Sequence, residues 1–279
     1  MKPSVWPDQH DDMLNQKLFL VFLIISLLII VDALVIEPYN PVLVKQNFDI
    51  LEGDQNIKII FISDIHAGYQ TTQYLETVVE KINQQEPDVI LLGGDFIDHE
   101  NELELLAPLK KLQSRYGTYA VLGNHDYGSW MCGGDGWLGD KVEQKLSSLG
   151  VDVLRNENRI LEIHGEKFAI IGLDEFWMCR NNYQNASMGT DNLPKIILTH
   201  NQMGVDQTKV DGRNVVLSGH THCGQIRIPF ITDLYLLPVF GKAGGLYQQG
   251  DSSLYVSCGV TSGRIRFLAP PEIDLMDVH

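Results

Sequence analysis

The chain has 279 residues, 44% of them hydrophobic and 9% aromatic, proportions that fit a globular protein and exclude extended disorder. Its 36 acidic residues outnumber 21 basic ones, for a formal charge of −15. That balance argues against nucleic acid as a binding partner, because such binding relies on Lys and Arg neutralising phosphates.

Residues 1–17 form an acidic leader, with Asp8, Asp11 and Asp12 against Lys2 and Lys17. The run 18–31 carries no charge, and the apolar character resumes past Asp32 through Ala33 and Ile36. Taken as 18–36 the segment is 19 residues, close to the ~20 that cross a bilayer as a helix. A cleaved signal peptide would want a positive start and a small-x-small cleavage site, and neither is present. A buried core helix would show an amphipathic pattern. The segment therefore reads as a transmembrane anchor, with its orientation left open by the few, evenly divided Lys and Arg near its ends. Residues 37–56, with Pro38 and Pro41, read as a linker that becomes an edge strand around Val42–Phe48. Residues 57–279 read as one domain.

Within that domain short β-rich runs alternate with helical patterns. Strands are expected at 57–63, 88–93, 118–122, 195–199, Asn214–Ser218, 225–228, 254–257 and Glu272–Val278, with a hairpin formed by 159–164 and 167–172. Helices are expected at 71–85, around 102–112 with an interruption at Pro108, and through Val142, Leu146 and Leu149. Alternation followed by hairpins indicates a mixed α/β sheet system.

Five of the apolar runs are followed at once by polar residues able to bind metal. FIS leads into Asp64-Ile65-His66, VILLGG into Asp95 and Asp98, and YAVLG into Asn124-His125-Asp126. KIILT leads into His200, and VVLSG into His220-Thr221-His222. Loops at strand ends converge on a rigid frame, which is where α/β sheets place ligands. Carboxylate, imidazole and amide oxygen form a borderline-hard donor set that suits Mn²⁺, Fe or Zn²⁺. The set is too rich for one ion, which takes three or four protein ligands.

The ordered motifs D-x-H, G-D-x-x-D, G-N-H-D, a lone His and G-H-T-H resemble the calcineurin-like metallophosphoesterase superfamily. The likeness runs from Ile57 to the C-terminus. The stretches GHTHCGQIRIP, GLYQQGDSSLYVSCG and IRFLAPPEIDL are similar to its bacterial membrane-associated branch, which includes phosphodiesterases and UDP-2,3-diacylglucosamine pyrophosphatases. The resemblance implies a four-layer αββα sandwich of two mixed sheets and a single-pass protein of the bacterial inner membrane. It also implies two divalent metal ions, Mn²⁺ first among the candidates, and a metal-bridging hydroxide that attacks a lipid-linked or amphiphilic phosphoester such as UDP-2,3-diacylglucosamine. Asp64, His66 and His222 would ligate one metal, Asn124, His200 and His220 the other, and Asp95 would bridge them. His125 would face the scissile phosphate, and Asp126 would hold and polarise His125. A nucleotide or protein phosphatase on the same scaffold is the alternative. A non-catalytic binding module would be expected to lack ligands, and here all are present.

Other polar residues invite plainer readings. Asp98 reads as a supporting or turn residue, His99 as solvent-facing, and His10, His164 and His279 as non-catalytic. Among the arginines, Arg227 and Arg266 are the better candidates for phosphate contact. The clusters Phe176-Trp177-Met178 and Trp130-Met131 could line an apolar groove, although such residues are more often core. Cys132, Cys179, Cys223 and Cys258 lie far apart with no CxxC pair and read as structural bystanders. A Cys132–Cys179 disulfide is open to an exported domain.

Overall fold

The computed structural model describes residues 9–53, 55–129, 131–134, 136–205, 210, 213–250, 252–261 and 263–279. Trp130 and the first eight residues of the leader lie outside them.

The chain begins with helix α1 (Gln9–Val31), continued by a wide turn at Asp32–Ile36 and a tight one at Glu37–Tyr39. Apolar side chains such as Leu18, Phe22 and Leu28 are exposed on it. By length and composition this apolar helix suits a membrane anchor or a signal sequence.

Among the described residues, twelve strands then build two six-stranded sheets. The first uses β1 (Val42–Phe48), β2 (Ile57–Ile62), β3 (Val89–Leu92), β4 (Thr118–Ala120), β5 (Asp152–Val153) and β12 (Glu272–Val278) in the order β1-β12-β2-β3-β4-β5. The second uses β6 (Glu157–Ile163), β7 (Glu166–Gly172), β8 (Lys195–Leu198), β9 (Asn214–Ser218), β10 (Gly245–Gln249) and β11 (Ser252–Val256) in the order β10-β11-β9-β8-β7-β6. Both are mixed: β2, β3, β4 and β5 run parallel while β12 opposes β2, and β7, β8, β9 and β11 run parallel between antiparallel edges.

Side-chain alternation explains the layering. On β2, Ile60 and Ile62 join the core under α2 (Thr72–Asn83) and α3 (Trp137–Ser148), while Ile59 and Phe61 join the core between the sheets. On β8, Ile196 and Leu198 enter that central core and Ile197 packs outward, with Ala186 of α4 (Tyr183–Ala186) in the same cluster. Central strands covered on both faces read as continuous apolar runs, which is why they were legible. The result is an αββα sandwich.

Two local expectations are corrected, and one helix was not foreseen. Residues 225–228 form no strand; a single bridge joins Ile226 to Phe267. The stretch around Pro108 is one 3₁₀ run, Glu100–Lys111, whose i→i+3 pattern passes through the proline. Helix α5 (Ile231–Phe240) was not anticipated, because ITDLYLLPVF is mostly apolar and has no helical period to find.

Candidate metal centre

The loops after β2 and β3 are laced together by backbone hydrogen bonds: Asp64 N–H donates to Gly94 O, His66 N–H to Asp95 O and Ala67 N–H to Phe96 O. The lacing holds the backbone in the left-handed region at Asp64, His66 and Asp95, and His220 and His222 share that conformation. Non-glycine residues there carry strain of ~1–3 kcal/mol each and cluster at functional sites. The turns also need bare backbone. A Cβ on Gly219 would strike Ser63 Oγ and Asp64 Oδ2, and one on Gly123 would strike Asp95 Oδ1.

These loops bring the donors into two overlapping groups. Asp64, His66, Asp95 and His222 present ligand atoms within 4.8 Å of one another, and so do Asp95, His200 and His220. Asp95 belongs to both. Its Oδ1 accepts the His125 N–H at 2.9 Å. Its Oδ2 stands 3.1 Å from His200 Nε2, 3.6 Å from His66 Nε2 and 4.0 Å from His125 Nε2.

Outer hydrogen bonds fix the imidazoles. His200 Nδ1 lies 2.8 Å from Gly93 O, a carbonyl that can only accept, so Nε2 is left unprotonated toward Asp95 in the neutral ring. His66 Nδ1 is likewise 3.0 Å from Asp98 Oδ2. Asn124 is fully buried with both amide atoms unpartnered, an expensive state unless its oxygen binds something else. A cation held against its oxygen would lower that cost.

The electrostatics point the same way. Burial alone would lower the pKa of His200, but the Asp95 carboxylate, with Asp64 and Glu175 behind it, lifts it to about 10. His66 is raised to about 8, because the Asp98 hydrogen bond and the charges of Asp95, Asp98 and Asp64 outweigh burial. Burial and the Asp95 charge push Asp126 up to about 7. Carboxylates that hold protons on buried imidazoles make a site that favours added positive charge. The buried His/Asp clusters are consistent with a dinuclear metal centre.

The support of His125 differs from expectation. Asp126 does not reach it: Asp126 Oδ1 accepts from Phe96 and Ile97 N–H, and Oδ2 from Asp95 and Gly123 N–H. Those four bonds fill the carboxylate. Asp98 takes the place, its Oδ1 facing His125 Nδ1 while Oδ2 accepts from His66. Beside it opens a cavity of about 470 Å³ lined by Tyr69, Asp98, His99, His125 and Trp137.

Arg266 is corrected as well. It is 1% exposed, and its guanidinium donates to the carbonyls of Cys258, Gly259, Thr261, Ala269 and Pro270. It knits a loop and has no free donor face for phosphate. Trp177 stands over His220, 4.3 Å between ring centroids, and stacks with Phe240 at 6.1 Å, whereas Met178 is core. The cysteines are paired, as Cys132–Cys179 and Cys223–Cys258. The second bridge joins the residue after His222 to the one before Gly259, which packs on Asp64.

Residues 57–224 match the model of the calcineurin-like phosphoesterase family. The chain belongs to that family. It is similar to an uncharacterized metallophosphoesterase, YkuE, of Bacillus subtilis, with 34% identity over 233 residues covering 79% of this chain and 78% of that one. It is 29% identical over 235 residues to the phosphodiesterase YaeI of Escherichia coli, covering 79% and 82% of the two chains. Among solved structures, the phosphopantetheinyl hydrolase PptH of Mycobacterium tuberculosis aligns over 75% of this chain and 90% of its own, with 12% identity and a TM-score of 0.48. Family membership and the His/Asp clusters make this calcineurin-like phosphoesterase a metal-dependent hydrolase of phosphoesters.

Proposed function

We propose that the protein is a membrane-anchored phosphodiesterase or pyrophosphatase that binds two divalent cations, with Asp95 as their shared ligand. One observation carries the reading: Asp95 Oδ2 sits among the imidazoles of His66, His200 and His125 while Oδ1 is tied to backbone. Asp64, His66 and His222 would hold one cation, and Asn124, His200 and His220 the other. Bound there, the cations would supply an activated water and neutralise charge on the phosphoryl oxygens. The protein's own part is proton transfer and positioning. Asp98 holds His125 by Nδ1, leaving Nε2 toward the centre to protonate the departing oxygen, a contribution of ~10²–10⁴-fold.

Mn²⁺ is the first metal to try, with Fe or Zn²⁺ as alternatives the donor set tolerates. An amphiphilic phosphoester such as UDP-2,3-diacylglucosamine is supported by the apolar helix α1 and by the sequence likeness noted above. Two disulfides favour the oxidising side of the membrane for the catalytic domain.

Asp95→Asn should lose bound metal and activity together, whereas His125→Ala should keep metal and lose mainly turnover. Elemental analysis with rates on a chromogenic phosphodiester, a phosphomonoester and a UDP-linked diacylated sugar tests this. Full metal content and full rate in the Asp95 variant would refute the shared-ligand assignment, and cleavage of monoesters alone would favour the phosphatase reading.

A further inference from the structure

Helix α5 carries large apolar side chains into solvent. Phe230 at its start is 85% exposed, Leu234 77% and Tyr235 63%, while Thr232 and Leu236 turn inward. Its one charged residue, Asp233, is joined to Arg227 at 3.2 Å. Ten residues are too few to cross a bilayer, which takes ~20, so a helix of this kind meets lipid lying flat.

What surrounds α5 identifies its occupant. The turn before it is bridged to Phe267 through Ile226, and the residue preceding Phe267, Arg266, donates its N–H to Ala33 O at the foot of α1. Glu37 accepts from Leu268 and Ala269 N–H. An apolar surface thus runs from Val35 through Leu268 and Ile228 to Leu234, every residue named being exposed, across hydrogen-bonded neighbours. At the other end of α5, Phe240 stacks on Trp177, and both rings meet the edge of His220. One short helix joins the foot of the apolar α1 to the metal centre.

We propose that α5 and the turn before it lie in the headgroup–acyl boundary of the bilayer that α1 enters, so that the metal centre receives an amphiphilic phosphoester from the leaflet. This deepens the phosphoesterase reading and rests on it. A lipid surface fits because the charge on α5, Asp233, is paired with Arg227 and the exposed face continues the apolar surface of α1.

The test uses the full chain in phosphatidylcholine vesicles. Leu234→Trp places a reporter on α5, and Ile160→Trp, on exposed β6, is the control. Brominated acyl chains should quench the added emission at 234 and shift it to the blue, leaving 160 unchanged. Equal quenching at the two positions would overturn the proposal, as would shielding of 234 only when a second protein is added. Leu234→Asp should cut hydrolysis of a diacyl-linked phosphodiester at least tenfold and spare a water-soluble diester; equal rates on the lipid-borne substrate would also overturn it. Quenching at 234 without hydrolysis by the parent chain would indict the phosphoesterase reading alone. Release of the parent chain by alkaline carbonate would indict the anchor alone, and added vesicles then test α5 by the same quenching.

Discussion

His66 gives its Nδ1 proton to Asp98 Oδ2 across 3.0 Å, while the other oxygen of the same carboxylate faces His125 Nδ1. One acid thus orients a candidate metal ligand and the candidate proton donor together. The two imidazoles in turn hold the Asp98 carboxyl well below the usual carboxylate range, against the opposing effect of burial. Asp98→Asn should lower turnover and metal affinity each by ~10–100-fold, the usual loss when a ligand's outer partner is removed. Rates and metal titration check it. Unchanged metal affinity would mean that Asp98 supports His125 alone.

Gly219 lies where Ser63 and Asp64 leave no space for a methyl group. Gly219→Ala should destabilise the fold by ~1–3 kcal/mol through overpacking and displace Asp64. A lower melting temperature accompanied by weakened metal binding is the expected pair of results. Stability lost with metal binding intact would show that Ser63 alone gives way.

Asp274 is fully buried on β12, where Tyr255 and Ser257 hydroxyls donate to it. Burial, and then the charge of Glu272, raise its pKa well above the usual carboxylate range. The folded state therefore holds a proton that the unfolded chain releases near pH ~4. Its stabilising effect is complete below that pH and is lost as pH rises toward the folded-state value, at ~1.4 kcal/mol per unit. Asp274→Asn should flatten the stability profile above pH ~4, as urea unfolding at several pH values would show. A variant profile parallel to the parent's would place the pH dependence on other groups.

The disulfides close segments of 47 and 35 residues. Reducing each should cost ~2–4 kcal/mol, mostly by freeing the unfolded chain. The Cys223–Cys258 bridge also joins the His222 loop to the turn packed on Asp64, so reductant should weaken metal retention as well as lower the melting temperature. Calorimetry and metal analysis with and without reductant separate the two effects.

The sequence made the centre of the fold plain because β2, β3, β8 and β9 are apolar on both faces and end in donors. Short edges escaped notice. The two-residue β5 has no pattern to detect, and β10 follows an apolar helix that itself lacks period. The candidate donors could be named from the chain alone, since each follows directly on its strand. The partners of the donors could not. Asp126 adjoins His125 in sequence yet spends its oxygens on backbone of its own loop and of the loop after β3, and Asp98 reaches the ring from 27 positions earlier. Arg266 likewise looked like an anion ligand until its five carbonyls came into view. Adjacency along the chain says little about which atoms a buried polar group will meet.

The family match stops at residue 224, but the sandwich does not divide there. β12 is inserted between β1 and β2, and β11 is the neighbour of β9, so the last fifth of the chain closes both sheets. A fragment cut at that point would leave a missing plank in the first sheet and a bare flank on the second. Engineers seeking a portable catalytic module should therefore keep the chain through His279, and split reporters inserted near 224 should regain the fold only when both pieces reunite.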